Sequence, residues 1–256
     1  MTGERAGLKV ATWNIFAGRT RDGDRVDLDL TLAALRALDA DLVALQEVDR
    51  DQPRSGRADQ ARVLAEALGM DWRFAPTLHG TPGDPQGWRR AEPGRPDPGG
   101  TAYGIALLSR LPLEGVETVP LPQAGHDEPR VALVAAVDAG GRTLTVAGTH
   151  LSFVPGPNLG QLRALQRRLA ARPAPRLLLG DLNLWLPLVL AASRPGWRPL
   201  VRAATFPNRP GRRLYPRVQL DHVLAHGARG LRAGRRRVLG GPASDHRAVL
   251  VELSWG

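Results

Sequence analysis

Hydrophobic positions along the chain follow two rhythms. Residues 8–13 alternate with β-favouring side chains and predict a first strand, and leucines at helical spacing over 27–38 predict a helix behind it. After Asp41, the run Leu42-Val43-Ala44-Leu45 reads as a short buried strand, and 58–68 as a second helix stopped by Gly69. Residues 76–100 are dense in Pro, Gly, Asp and Arg with no apolar period, which predicts a long surface loop. The middle of the chain changes character. There 103–109, 131–137 and 142–151 are short β-favouring segments separated by turn-like residues. Leu162, Leu165 and Leu169 restore helical spacing over 158–171, followed by a Leu177-Leu178-Leu179 strand and by strands near 218–224 and 247–253. No segment repeats internally. Two stretches that each mix strands with helices predict a layered α/β domain, with sheets facing each other and helices outside.

Composition narrows this picture. The 43% hydrophobic content of the 256 residues supports a sizeable core. That length fits one large domain or two small ones; no linker divides the chain, and a single domain over 1–256 is expected. The longest apolar runs, such as 186–192, fall far short of the roughly 18 residues a membrane helix requires, so a soluble, monomeric protein without a transmembrane segment is expected. The start Met1-Thr2-Gly3-Glu4-Arg5 lacks the apolar core of a secretory signal, which predicts a cytoplasmic location. Without cysteine there is no disulfide, thiolate nucleophile or zinc-thiolate cluster. Carboxylates and histidines remain as ligands, and they favour hard, oxygen-loving metals.

The net charge of +10 points to an anionic partner such as nucleic acid. It has a second explanation, because Lys9 is the only lysine and the chain is rich in Ala, Gly and Pro, as the codon usage of a GC-rich genome produces. Position therefore matters more than number: Arg209, Arg212, Arg213 and Arg217 precede the 218–224 strand, and Arg229, Arg232, Arg235, Arg236 and Arg237 follow it.

Polar residues recur where apolar strands stop. Asn14 follows Ala11-Thr12-Trp13, Glu47 follows Leu45-Gln46, and His150 follows Ala147-Gly148-Thr149. Asp181 and Asn183 follow Gly180, and alternation along a strand would place their side chains on one side. Asp221 follows Leu220, and Asp245 and His246 precede the last strand. A lone Glu47 or Asp221 would be an exposed strand end or a helix cap. Together, acids, amides and imidazoles at strand ends suggest metal-assisted hydrolysis.

The strings Trp13-Asn14, Gln46-Glu47, Gly148-Thr149-His150-Leu151, Gly180-Asp181-Leu182-Asn183, Leu220-Asp221-His222 and Ser244-Asp245-His246 occur in an order that resembles the endonuclease/exonuclease/phosphatase superfamily, the deoxyribonuclease-I-like fold. Tyr103 to Arg110 also looks like that family's strand leading to a Ser-Arg turn, so the resemblance spans nearly the whole chain. It implies a four-layer α-β-β-α sandwich of two packed mixed sheets, with these residues converging at one edge around Mg²⁺ or Mn²⁺. Glu47 would ligate the metal, supported by Asn14 and Asp245. Asp181 would orient or deprotonate the attacking water, and Asn183 would donate its amide to a phosphate oxygen. His246, held by Asp221, would contact the phosphate as a cation or polarise the nucleophile. His150 would be a second phosphate donor or the acid for the leaving group. Arg130 is a further phosphate-binding candidate, set against the exposure common to arginines.

Strand alternation turns His222 away from Asp221, so it is expected to be a packing or surface histidine. His79, His126 and His226 receive no role. Trp185 and Trp88 have faces for stacking on bases but are large apolar fillers first. Within the resembling superfamily one site serves DNA, RNA, sphingomyelin and inositol phosphates. The Gly-Thr-His string looks like the deoxyribonuclease and sphingomyelinase branches, whereas abasic-site nucleases carry a tyrosine-bearing segment there. A nuclease is the leading expectation. The alternatives are a phosphoesterase of a lipid headgroup or small phosphorylated metabolite, and a silent nucleic-acid-binding module that would lack Glu47, Asp181 or His246.

Overall fold

The computed structural model describes residues 7–81, 87, 89–92, 95–123, 125, 127–209 and 217–256. Trp88, His126, Arg212 and Arg213 lie outside them. The chain builds two mixed sheets. Strands β1 (Leu8–Asn14), β2 (Leu42–Arg50), β3 (Asp71–His79), β4 (Arg89–Arg90), β5 (Ala102–Ser109), β12 (Leu231–Leu239) and β13 (Ala248–Trp255) form the first, in the order β12-β13-β1-β2-β5-β3-β4. The second contains β6 (Glu114–Pro120), β7 (Val131–Asp138), β8 (Thr143–His150), β9 (Arg176–Asp181), β10 (Arg198–Pro199) and β11 (Asp221–His226), in the order β10-β11-β9-β8-β7-β6.

Three apolar layers hold the sheets and helices together. Val10, Leu42 and Leu107 of the first sheet meet Leu133, Val146 and Leu177 of the second between the sheets. Gly148 keeps this layer thin, because a Cβ there would lie 2.8 Å from Leu107 Cδ2 and 3.1 Å from Ala44 Cβ. Outside the first sheet, Leu35 and Leu38 of α1 (Leu28–Leu38) and Leu64 of α2 (Gln60–Leu68) cover Val43, Leu45 and Leu250. Outside the second, Leu162, Leu165 and Leu169 of α3 (Pro157–Ala170) join Val189 of the short helix α4 (Leu186–Ala192) over Leu178 and Val134. The result is the four-layer sandwich expected. Both N-terminal helices start at a carboxylate cap: Asp27 accepts from Leu30 N at 3.1 Å and Asp59 from Arg62 N at 3.1 Å.

Two parallel crossovers fix where the chemistry sits. β1 pairs in parallel with β2 through α1, and β8 with β9 through α3, so the C-terminal ends of all four strands emerge at one edge. β11 runs antiparallel to β9 and begins there, with Asp221 opposite Asp181. β13 runs antiparallel to β1, which brings the preceding Asp245 and His246 to the same edge.

Several segments depart from the sequence expectation. The 76–100 stretch is not all loop, since β3 continues through His79 and pairs with β5, and Arg89–Arg90 adds a short edge strand. Pro76 obscured this strand and sits where the β3–β5 register shifts. β6 and β12 lack an apolar rhythm because both are largely exposed edge strands. The arginines at 232, 235, 236 and 237 line β12, in the first sheet, rather than flanking Asp221 in the second.

Candidate active site

The site assembles around one carboxylate. Asp181, 1% exposed at the end of β9, accepts a hydrogen bond at Oδ1 from Asn183 N at 2.9 Å. Its Oδ2 is approached by three nitrogens: Asn14 Nδ2 donates at 3.2 Å, His150 Nε2 lies at 3.6 Å, and His246 Nε2 at 3.7 Å. Asn183 is not the next side chain of a strand, as alternation suggested. It lies past the strand end at φ 49, and its Nδ2 reaches Leu151 O at 2.9 Å and His150 Nε2 at 3.2 Å. Glu47 sits at φ 54 within a register shift of β2, and Ser244 at φ 53. Left-handed backbone at non-glycine residues costs roughly 1–3 kcal/mol each and persists where surroundings enforce it. Here the shift in β2 coincides with Glu47, whose Oε1 accepts from Asn14 Nδ2 at 2.9 Å.

His246 is clamped between two acids. Its Nδ1 donates to Asp221 Oδ2 at 2.9 Å, and its ring tilts against Phe206 at 4.8 Å between centroids. Burial alone would lower its pKa, yet the charges of Asp221, Asp181 and Asp245 raise it to about 10, so it is an imidazolium at neutral pH. Burial, reinforced by Asp221, raises Asp181 to about 7, against the lowering charge of His246. His150 goes the other way. Burial, then the charges of Arg130 and His246, hold it well below the usual imidazole value, and the amide donated to its Nε2 by Asn183 suits a neutral ring.

This depression has a consequence for stability. The unfolded chain takes up a proton on His150 as pH falls through about 6.5, and the folded one does not, so the His150 contribution to stability is lost below that pH, opposed by Asp181, which the folded chain protonates first. Relative to wild type, a His150→Gln variant is expected to gain Tm as pH falls from about 7 to 5, read by thermal unfolding across that range. An unchanged slope would show that His150 titrates normally.

Arg130 is 4% exposed. Its Nη2 lies 3.4 Å from Glu128 Oε2, while Nε and Nη1 are buried with no partner among the described residues. Glu128 in turn accepts from Thr77 Oγ1 at 2.7 Å. A buried guanidinium with two unpaired nitrogens is costly in isolation and suits an incoming anion. His222, by contrast, is fully buried structure: its Nε2 bonds Leu184 O at 2.9 Å, away from Asp221.

Two places offer donors for a metal. Asp181, Asp221 and His246 bring one ligand atom each within 4.8 Å of one another. There His246 Nδ1 is already engaged by Asp221 at 2.9 Å, which leaves Nε2 facing Asp181. The second place is Glu47, hydrogen-bonded to Asn14, with the charge of Asp245 felt there. Burial raises Glu47, against the lowering hydrogen bond of Asn14 and charge of His246, and the charges of Asp245 and Glu128 add to the rise; no lysine or arginine among the described residues forms an ion pair with it. A cavity of about 150 Å³ adjoins it, lined also by Tyr103, Glu128 and Arg54. Oxygen donors, mutual repulsion and adjacent room fit a hard divalent cation.

Several supporting residues carried no sequence signal beyond their neighbourhood. Ser244 Oγ donates to Asn14 O at 2.6 Å and accepts from His246 N at 3.0 Å, joining the first and last strings. Thr205 Oγ1 accepts from Leu220 N and Asp221 N, fixing the start of β11. Asn208 Nδ2 donates to Ser244 O at 3.0 Å.

A four-layer sandwich with acids, amides and imidazoles gathered at one sheet edge is the architecture of a phosphoesterase family. The sequence profile of the Endonuclease/Exonuclease/phosphatase family matches residues 11–246, and the chain belongs to that family. It is similar to a solved endonuclease/exonuclease/phosphatase from Beutenbergia cavernae at 29% identity, covering 98% of this chain and 72% of that one, with TM-score 0.76. D. rerio TDP2 complexed with single-strand DNA product shares the fold at 17% identity, 97% and 99% coverage and TM-score 0.70. A Bacteroides thetaiotaomicron mannosyl-6-phosphatase does so at 17% identity, 97% and 100% coverage and TM-score 0.70. No curated protein matches the chain in sequence. Among the described residues no helix is long and apolar enough to cross a membrane.

Proposed function

We propose that this protein is a divalent-metal-dependent phosphodiesterase acting on nucleic acid. The observation that carries the reading is the pairing of the Asp181 cluster with Arg130, whose unpaired guanidinium nitrogens and neighbouring His150 provide for a phosphate. Further cations lie near the metal ligands: Arg19 lines the cavity beside Glu47 and the charge of Arg209 is felt by Asp245, whereas Arg54 in that cavity is paired with Asp49. A single small phosphate needs few of these, whereas a polyanion engages them together. The likeness to TDP2, crystallised with a DNA product, supports a nucleic acid; the likeness to a mannosyl-6-phosphatase supports the alternative of a small phosphorylated substrate.

In this reading Glu47, Asn14 and Asp245 would hold Mg²⁺ or Mn²⁺, which when bound would supply charge neutralisation for the phosphate and the leaving oxygen. Asp181 orients the attacking water and accepts its proton. The His246 imidazolium, fixed by Asp221, donates to a phosphate oxygen as charge accumulates, and Arg130 and His150 clamp the remaining oxygens, with Asn183 holding the His150 ring. His150, neutral and accepting from Asn183 at Nε2, carries its proton on Nδ1.

The test is metal removal. Excess chelator is expected to abolish hydrolysis of an oligonucleotide, and Mg²⁺ or Mn²⁺ to restore it. Added Mg²⁺ is also expected to raise the Tm of the chelated protein, and Glu47→Gln is expected to remove that rise. Full activity in excess chelator, or the same Tm response in Glu47→Gln, would contradict the metal assignment.

A further inference from the structure

Four large hydrophobic side chains stand out to solvent among the described residues: Phe153, Trp185, Leu188 and Leu190, exposed by 68%, 55%, 46% and 44%. Scattered singly such residues need no explanation, but these share two neighbouring segments. Both segments leave directly from the site. Phe153 lies three residues past His150, and Trp185 two past Asn183. The segments are also stitched together, since Asn183 Nδ2 donates to Leu151 O at 2.9 Å and Asn158 Nδ2 donates to Asn183 O at 3.0 Å. Backbone bonds fix the Phe153 loop on both sides, with Ser152 N donating to Gln161 Oε1 and Val154 N to Ser152 Oγ. Trp185 is therefore no core filler.

We propose that Phe153 and Trp185 form a stacking platform for the unpaired bases next to the scissile phosphate, which makes single-stranded nucleic acid the preferred substrate. This rests on the nuclease reading and deepens it. Phe153 lies three residues along the chain from His150, a group assigned to the phosphate, and Trp185 two from Asn183, on segments bonded to each other, and a base hangs from its backbone close to that phosphate. Aromatic faces accept any base, and base–aromatic stacking strengthens binding by roughly ten-fold or more per base without sequence readout. A duplex hides those faces in its own stack, so only a single strand or a frayed end reaches the platform. Arg130, with two unpaired guanidinium nitrogens, and the exposed Arg209 meet the charge of the backbone while the rings meet the bases. Leu188 and Leu190 lie further along α4 and lack a π face, which separates base stacking from a general apolar surface.

The experiment compares a single-stranded oligonucleotide, its duplex, and an oligomer of equal length with tetrahydrofuran abasic units, using wild type, Trp185→Ala, Trp185→Phe, Phe153→Ala and Leu190→Ala. Wild type is expected to favour the base-bearing single strand over the abasic oligomer by about ten-fold in kcat/KM. Trp185→Ala and Phe153→Ala should erase most of that ratio through KM, Trp185→Phe should keep most of it, and Leu190→Ala should leave it intact. An unchanged ratio in Trp185→Ala overturns the platform. So does an unchanged ratio accompanied by loss of binding to phosphatidylcholine–phosphatidylserine vesicles in Trp185→Ala and Leu190→Ala alike, which would make the patch a lipid-facing surface. A wild type that cleaves none of the three polymers but hydrolyses small phosphoesters would overturn the nuclease reading itself, an outcome distinct from nuclease activity that ignores bases.

Discussion

Asp181→Asn is expected to lower kcat about 1,000-fold while leaving KM within a few-fold, because it removes a proton acceptor and little volume. The geometry makes this carboxylate hard to replace. Asn14, His150 and His246 all point nitrogens at its Oδ2, and its other oxygen is held by Asn183 N, so a water placed there meets one acceptor oriented by fixed donors. Burial raises Asp181 to about 7, which suits a base working near neutrality better than an ordinary carboxylate. The test is steady-state kinetics on an oligonucleotide, with circular dichroism and thermal unfolding to show that the variant is folded. A loss below about ten-fold would assign proton acceptance elsewhere.

Much of the architecture was legible because buried strands and amphipathic helices carry their own periodicity. The runs at Leu42, Leu107 and Leu177 are nearly continuous apolar segments, as strands covered on both faces must be, and Asp27, Gly69 and the leucines of α3 mark helix limits and faces. What escaped were elements at sheet edges. β6 exposes most of its residues, β12 carries arginines, and β3 contains Pro76, so none shows the pattern a covered strand requires. Helix α4 was too short for a period and read only as an apolar run.

The site was legible as a set of strings and not as a geometry. The ends of apolar runs pointed to Asn14, His150, Asp181, Asp221 and His246, which the two parallel crossovers bring together; Glu47, expected where its strand stops, lies inside β2, which runs on to Arg50. The sequence could not show that Asn183 turns back at positive φ to bond His150, nor that Glu47 occupies a bulge, because both depend on partners far along the chain. Ser244, Thr205 and Asn208 act through single hydrogen bonds to distant backbone, for which local pattern offers no cue. The exposure of Phe153 and Trp185 was equally hidden, since an aromatic beside an apolar run has the composition of core.

His246→Ala should reduce kcat by about 100- to 1,000-fold with little change in KM, because an imidazolium held between two carboxylates matters most when charge builds on the phosphate. Two acids near the ring make the cation persist: Asp221 at 2.9 Å and Asp181 at 3.7 Å outweigh the burial that would discharge it. Asp221→Asn separates this role from mere packing. An asparagine can still accept from Nδ1 but withdraws one negative charge, so it is expected to cost about ten- to 100-fold in kcat and to lower the pKa of His246 from about 10, observable by NMR titration of the ring. A structural role alone would shift that titration without lowering kcat. If His246→Ala instead raised KM strongly at unchanged kcat, the imidazolium would bind substrate and transition state equally, and its place in the chemical step would be lost.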